Sequence, residues 1–75
     1  MTTIQRYHEI SNNHRESSFA ANVIYCNCSN RAKKIKGLYN LIKSGHQVTT
    51  PHNFDMFTVC IDGRIVEMSE LEKHA

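Results

Sequence analysis

Residues 29–45, SNRAKKIKGLYNLIKSG, combine a helical hydrophobic period with the densest positive charge in the chain. Ser29 or Asn30 can accept a backbone N–H bond at the N-terminus, and Gly45 stands where a left-handed residue would end a helix, with Lys43 well placed in the last turn. Between these ends Ala32, Ile35, Leu38, Tyr39 and Ile42 recur at three- and four-residue spacing and form one apolar stripe, with Leu41 at its flank. An amphipathic helix is therefore expected, its stripe covered by the rest of the chain.

Lys33, Lys36, Asn40 and Lys43 fall on the side opposite the stripe, and the helix contains no Asp or Glu to pair with them. Arg31, Lys33 and Lys34 also crowd the first turn, where the helix dipole is already positive and basic side chains destabilise slightly. Helix stability does not account for these cations. A solvated lysine face that keeps a small protein soluble is one explanation, and a binding face for an anionic partner, made of Arg31, Lys33, Lys34, Lys36, Asn40 and Lys43, is the other.

The 75 residues make one domain with a thin core, and 40% apolar with 21% charged residues is an ordinary globular composition rather than a disordered one. The net charge of +2 is unevenly divided along the chain. Residues 17–54 carry Arg31, Lys33, Lys34, Lys36 and Lys43 and no acid, whereas residues 55–75 carry Asp55, Asp62, Glu67, Glu70 and Glu72 against Arg64 and Lys73. A basic pole and an acidic pole are expected, the former steering an anionic partner. No apolar run has the length of a membrane span, the N-terminus lacks a signal layout, and the three cysteines suggest no disulfide framework, so a cytoplasmic location is expected.

On either side of the helix the pattern reads as strand. Ile4, Arg6, His8 and Ile10 alternate along Thr3–Ile10, and Ser11, Asn12 and Asn13 can then turn the chain back. The segment SFAANVIYCNC would place Phe19, Ala21, Val23 and Tyr25 on a core face and Ala20, Asn22, Ile24, Cys26 and Cys28 on the other. After a turn-rich connection around Pro51, the Asp62–Gly63 pair predicts a type I′ hairpin between residues 54 and 68, with Ile61 facing Arg64, Val59 facing Val66 and Phe57 facing Met68. A capping box at Ser69 and Glu72 adds a terminal helical turn.

The expected fold is thus two-layer α+β in the order β-β-α-β-β, a four-stranded antiparallel sheet with one amphipathic helix across one face. Such a sheet leaves its other face bare, and Ile24, Cys26, Met56, Cys60 and Ile65, together with Phe54, would make that face apolar. A homodimer joined through it is expected, since a two-fold contact buries the same patch on both subunits.

No phosphate-binding glycine loop is present, and Gly37, Gly45 and Gly63 all have structural readings, Gly37 on the exposed side of the helix. No cysteine and histidine share a local catalytic signature, and no enzyme is expected. Cys26, Cys28 and Cys60 would share one side of the sheet, where His8, His46 or His52 could complete a zinc site, but the C-x-C spacing is not that of a zinc knuckle. Burial of these cysteines as small hydrophobes is the preferred reading, with no cofactor.

No family motif is recognisable, and only size and layout resemble those of small phage or plasmid accessory regulators. The preferred function is a non-enzymatic regulator or inhibitor that docks through the basic helix on a larger protein or nucleoprotein. The alternatives are a nucleic-acid-binding module with Arg31, Lys33, Lys34, Lys36 and Lys43 on phosphates, and a zinc-stabilised interaction domain.

Overall fold

A computed structural model describes residues 1–51 and 57–75. Three helices come first, α1 (Thr3–Asn13), α2 (Arg15–Asn27) and α3 (Arg31–Lys43). They are followed by β1 (Val48–Thr49), β2 (Thr58–Ile61), β3 (Arg64–Glu67) and a C-terminal 3-10 helix, Met68–His74. The described sheet has three antiparallel strands in the order β1-β2-β3. The expected four-stranded sheet with one helix is therefore incorrect, because the two segments before α3 are helical.

Local chemistry explains both departures. At the start of α1 the Thr2 hydroxyl accepts from the Gln5 backbone N–H at 3.2 Å while the Gln5 side chain accepts from the Thr2 N–H at 2.8 Å, a reciprocal capping box. The helix carries Tyr7 and Ile10, three residues apart, against the core, and it runs through the Ser11–Asn13 cluster to Asn13. In α2 the buried positions are Ser17, Ala20, Ala21, Val23 and Ile24, spaced as a helix requires, and the two alanines favour that state. Strand alternation would have buried Phe19, which is instead 52% exposed. Only His14 separates the two helices, and α1 folds back along α2 so that the Tyr7 and Tyr25 rings stack at 4.5 Å.

Helix α3 lies within its expected bounds. Its C-terminus forms a Schellman motif, the Gly45 N–H donating to Ile42 O and the His46 N–H to Leu41 O, both at 3.0 Å, with Gly45 at φ +92°. Its N-cap is Asn30 in the left-handed region, without a side-chain capping bond. The buried arc is Lys34, Ile35, Gly37, Leu38 and Leu41, while Ala32 is exposed and Tyr39 and Ile42 are half-buried. The helix is thus rotated from the expected stripe toward Lys34 and Leu41, because two bodies pack on it: the N-terminal helices on one side and the 3-10 helix on the other. Gly37 is buried at that second contact, where an added Cβ would collide with the carbonyl oxygen of Leu71.

The hairpin has the expected geometry. Asp62 (φ +52°) and Gly63 (φ +85°) form its turn, and Ile61 pairs with Arg64, Cys60 with Ile65, Val59 with Val66 and Thr58 with Glu67. The Met68 N–H donates to Phe57 O at 2.7 Å, as the expected pairing of these two residues requires. Val59 is fully buried and Ile61 and Val66 partly so, which makes theirs the core face. The core is completed by Ile10, Ile24, Ile35, Leu38, Val48 and Leu71, each contributing about 1.5 to 3 kcal/mol on burial. The Ser17 hydroxyl donates to Val48 O and ties α2 to the sheet.

The expected apolar sheet face does not exist as a unit. Ile24 is in the core, Cys26 is exposed on α2, Cys60 is half-buried on β2 and Ile65 is 62% exposed on β3. Met56 and Phe54 lie outside the described residues. Self-association through that face loses its physical basis. The terminal turn expected from Ser69 and Glu72 is present as a 3-10 helix starting at Met68, without a side-chain capping bond.

Gly37 yields a test of the packing. At an open helical position Gly→Ala stabilises by about 1 kcal/mol, whereas here Gly37→Ala should destabilise by about 1 to 3 kcal/mol because the Leu71 backbone must move. Urea denaturation measures it, and a raised midpoint would show that the C-terminal helix sits elsewhere.

Candidate binding surface on α3

The structure redistributes the six residues of the expected cationic face. Lys34 is only 7% exposed, and its ammonium donates to Ser29 O at 2.6 Å and lies 3.5 Å from Glu72 Oε2. Lys43 pairs with Glu9 at 2.6 Å and stands 5.3 Å from the Tyr39 ring centre. The Asn40 amide donates to His74 O at 2.9 Å. Arg31 turns toward α2, where it donates to Tyr25 O at 2.9 Å and lies 4.9 Å over the Tyr25 ring. At 100° per residue it points away from Lys33, so it belongs to a different surface.

Lys33 and Lys36 remain. Both are exposed and neither forms an ion pair or hydrogen bond with a described residue. They occupy the centre of an open arc of α3 that also holds Ala32, Lys43 and the outer edges of Tyr39 and Asn40. The uniformly cationic face thus shrinks to two free lysines with a third, paired one beside them. The acidic tail, which packs across α3 instead of forming a distant pole, takes up Lys34 and Asn40, while α1 and α2 engage Lys43 and Arg31.

The cysteines are separated. Cys26 is on the outer side of α2, Cys28 caps that helix and Cys60 is in β2, and among the described residues no three His, Cys, Asp or Glu side chains form a metal-sized group. His52, one of the fourth ligands considered, lies outside the described residues. The shared sheet side on which a zinc site depended is absent.

One titratable pair was invisible in the sequence because its members are joined only by folding. His46 Nδ1 lies 2.6 Å from Asp62 Oδ2, while Asp62 Oδ1 accepts from the Gln47 N–H at 2.9 Å. The His46 bond, then the Gln47 bond, holds the Asp62 carboxyl below its ordinary range. The pair has the form of an oriented base, but the adjoining hollow of about 370 Å³ is lined by Leu41, Ile61, Arg64, Glu70 and His74, and among the described residues that line it there is no hydroxyl or thiol nucleophile. Its evident work is mechanical, since with the Asp62 N–H to Gln47 O bond at 2.7 Å it clips the hairpin turn to the end of α3.

No family model, curated protein or solved structure matches this chain. Among the described residues no helix is long and apolar enough to cross a membrane.

The Lys43–Glu9 pair makes a pH prediction. Its hydrogen bond lowers the Glu9 carboxyl below its ordinary 4.5 and raises the Lys43 ammonium above its ordinary 10.5. A lowered carboxylate stabilises the fold above its unfolded pKa and loses this as pH falls through the folded one; a raised ammonium stabilises below its unfolded pKa and loses this as pH rises through the folded one. Wild type should therefore exceed Glu9→Gln in thermal midpoint by a small margin across neutral pH, and the two should converge at both extremes. A margin that persists in strong acid would contradict the pairing.

Proposed function

We propose that the chain is a small non-enzymatic binding protein, of regulatory or inhibitory type, that docks on an acidic surface of a larger macromolecule through the open arc of α3. One observation carries this reading: the fold pairs Lys34 with Glu72 and Lys43 with Glu9, yet leaves Lys33 and Lys36 adjacent on a rigid helix with no described acid beside them. Exposed lysines contribute little to stability and much to association rate and partner choice. Asn40 and Lys43 flank the pair and Arg31 lies outside it. The likeness to phage and plasmid regulators drew on size and on the β-β-α-β-β layout, and only the size remains.

A nucleic-acid reading is favoured by one new feature. Helices α2 and α3 are consecutive and separated only by residues 28–30, and the second presents the basic arc, as in modules that lay a second helix in the major groove. Two free lysines on phosphates would give a salt slope of only about −2, which supports weak binding, so the protein-docking reading ranks first.

Capture of partners by the immobilised chain from its source cells, with and without nuclease, tests both readings. Capture should resist nuclease and fall by about tenfold or more in Lys33→Glu/Lys36→Glu. The fold should be unaffected or slightly more stable, since position 33 is in the first turn of α3, where Glu suits the helix dipole, and position 36 is exposed. Lys73→Glu, on the 3-10 helix, is the control. Equal capture by the double variant would remove the α3 arc from the function, and nuclease-sensitive capture would place nucleic acid first.

A further inference from the structure

We propose that the Asp62–Gly63 turn is a site of covalent self-modification, in which the backbone rearranges through a succinimide to isoaspartate, and that the His46 clip restrains this reaction. Asp62 and Gly63 are the only Asp–Gly or Asn–Gly neighbours in the chain. Such a pair is reactive because glycine has no side chain to hinder the approach of its backbone nitrogen. The Asp62 side chain is 51% exposed, so water reaches it.

The chemistry needs no partner. The Gly63 nitrogen attacks Cγ of the protonated Asp62 carboxyl; a C–N bond forms, and the amide proton leaves with the carboxyl hydroxyl as water. Water then opens the cyclic imide at either carbonyl. One opening restores aspartate, and the other leaves the chain running through the side-chain carbon as isoaspartate, with no net gain or loss of atoms.

The fold opposes the first step. Asp62 Oδ2 lies 2.6 Å from His46 Nδ1 and Oδ1 accepts from the Gln47 N–H at 2.9 Å, so both oxygens are tied to the segment after α3. The carboxyl is therefore not free to turn onto the Gly63 nitrogen. The His46 bond, then the Gln47 bond, also favours the ionised form, and a carboxylate resists attack by an amide nitrogen. The Ile61–Arg64 pairing and the positive φ of Asp62 and Gly63 fix the turn, so reaction must await a local opening. Once formed, isoaspartate adds a methylene to the backbone of the turn and moves the free carboxylate to the α-carbon. The type I′ geometry is lost, His46 and Gln47 lose their acceptor, and the hairpin is released from the end of α3.

The test incubates the whole chain at neutral pH in water enriched in heavy oxygen, well below the thermal midpoint, and reads the peptide carrying Asp62 by mass spectrometry. Each opening of the imide writes one heavy oxygen atom into that peptide whichever product forms, and chromatography separates isoaspartate from aspartate. The folded chain should incorporate at least about tenfold more slowly than the chain unfolded in urea. His46→Ala, at an exposed position, should speed the folded rate about three- to fivefold, the reach of one exposed charged pair. Gly37→Ala, which loosens the fold at the C-terminal helix and leaves the clip in place, should speed it less. No heavy oxygen at Asp62 in the unfolded chain, equal rates folded and unfolded, or His46→Ala no faster than Gly37→Ala would each overturn the proposal.

Discussion

The carbonyl of Leu71 occupies the space that a side chain at position 37 would fill, and much of the molecule depends on that contact. It lets the C-terminal 3-10 helix lie directly on the backbone of α3 and drive Leu71 and Met68 into the core. Without it a domain this small would have two helices and a short sheet to cover α3, too little apolar area for a stable interior. Glycine is poor helix material, and here its lack of a Cβ is the reason for its presence.

The same contact sets the electrostatics. Once the tail is seated, Glu72 reaches Lys34 and the His74 carbonyl accepts from Asn40, while Glu9 arrives from α1 to pair with Lys43. Charges that are segregated in the sequence become paired across the fold. The unpaired remainder, Lys33 and Lys36, is smaller than the composition of residues 17–54 suggests and more specific in position. The buried ammonium of Lys34, held by the Ser29 carbonyl and the Glu72 carboxylate, is the second consequence.

Features specified by neighbours in the chain were legible. The Schellman end of α3 at Gly45 and the Asp62–Gly63 turn with its register each depend on a few adjacent residues, and both are present. The N-terminal third was misread because the Ile4, Arg6, His8, Ile10 alternation outweighed two helical signals that were also there: the Thr2–Gln5 capping box and the Ser17, Ala20, Ala21, Ile24 spacing. Burial of Lys34, the role of Gly37 and the His46–Asp62 clip were not legible, since each depends on a segment far along the chain. Of the six candidate residues, Lys34, Asn40 and Lys43 are engaged by Glu72, His74 and Glu9, all distant in the chain. A helical wheel identifies which residues share a side, and only the tertiary partners decide which side remains open.

The rotational setting of α3 is the central claim, and the acylation rates of its lysines by a small amine-reactive ester, read by peptide mass spectrometry under native conditions, test it most directly. Lys33 and Lys36 should react at the rate of free surface amines, Lys43 more slowly because Glu9 holds it, and Lys34 at least about tenfold more slowly than its neighbour Lys33, since it must await a local opening of the C-terminal helix. Equal rates at Lys33 and Lys34 would mean that the acidic tail does not cover α3, and would contradict the packing, the charge pairing and the binding surface together.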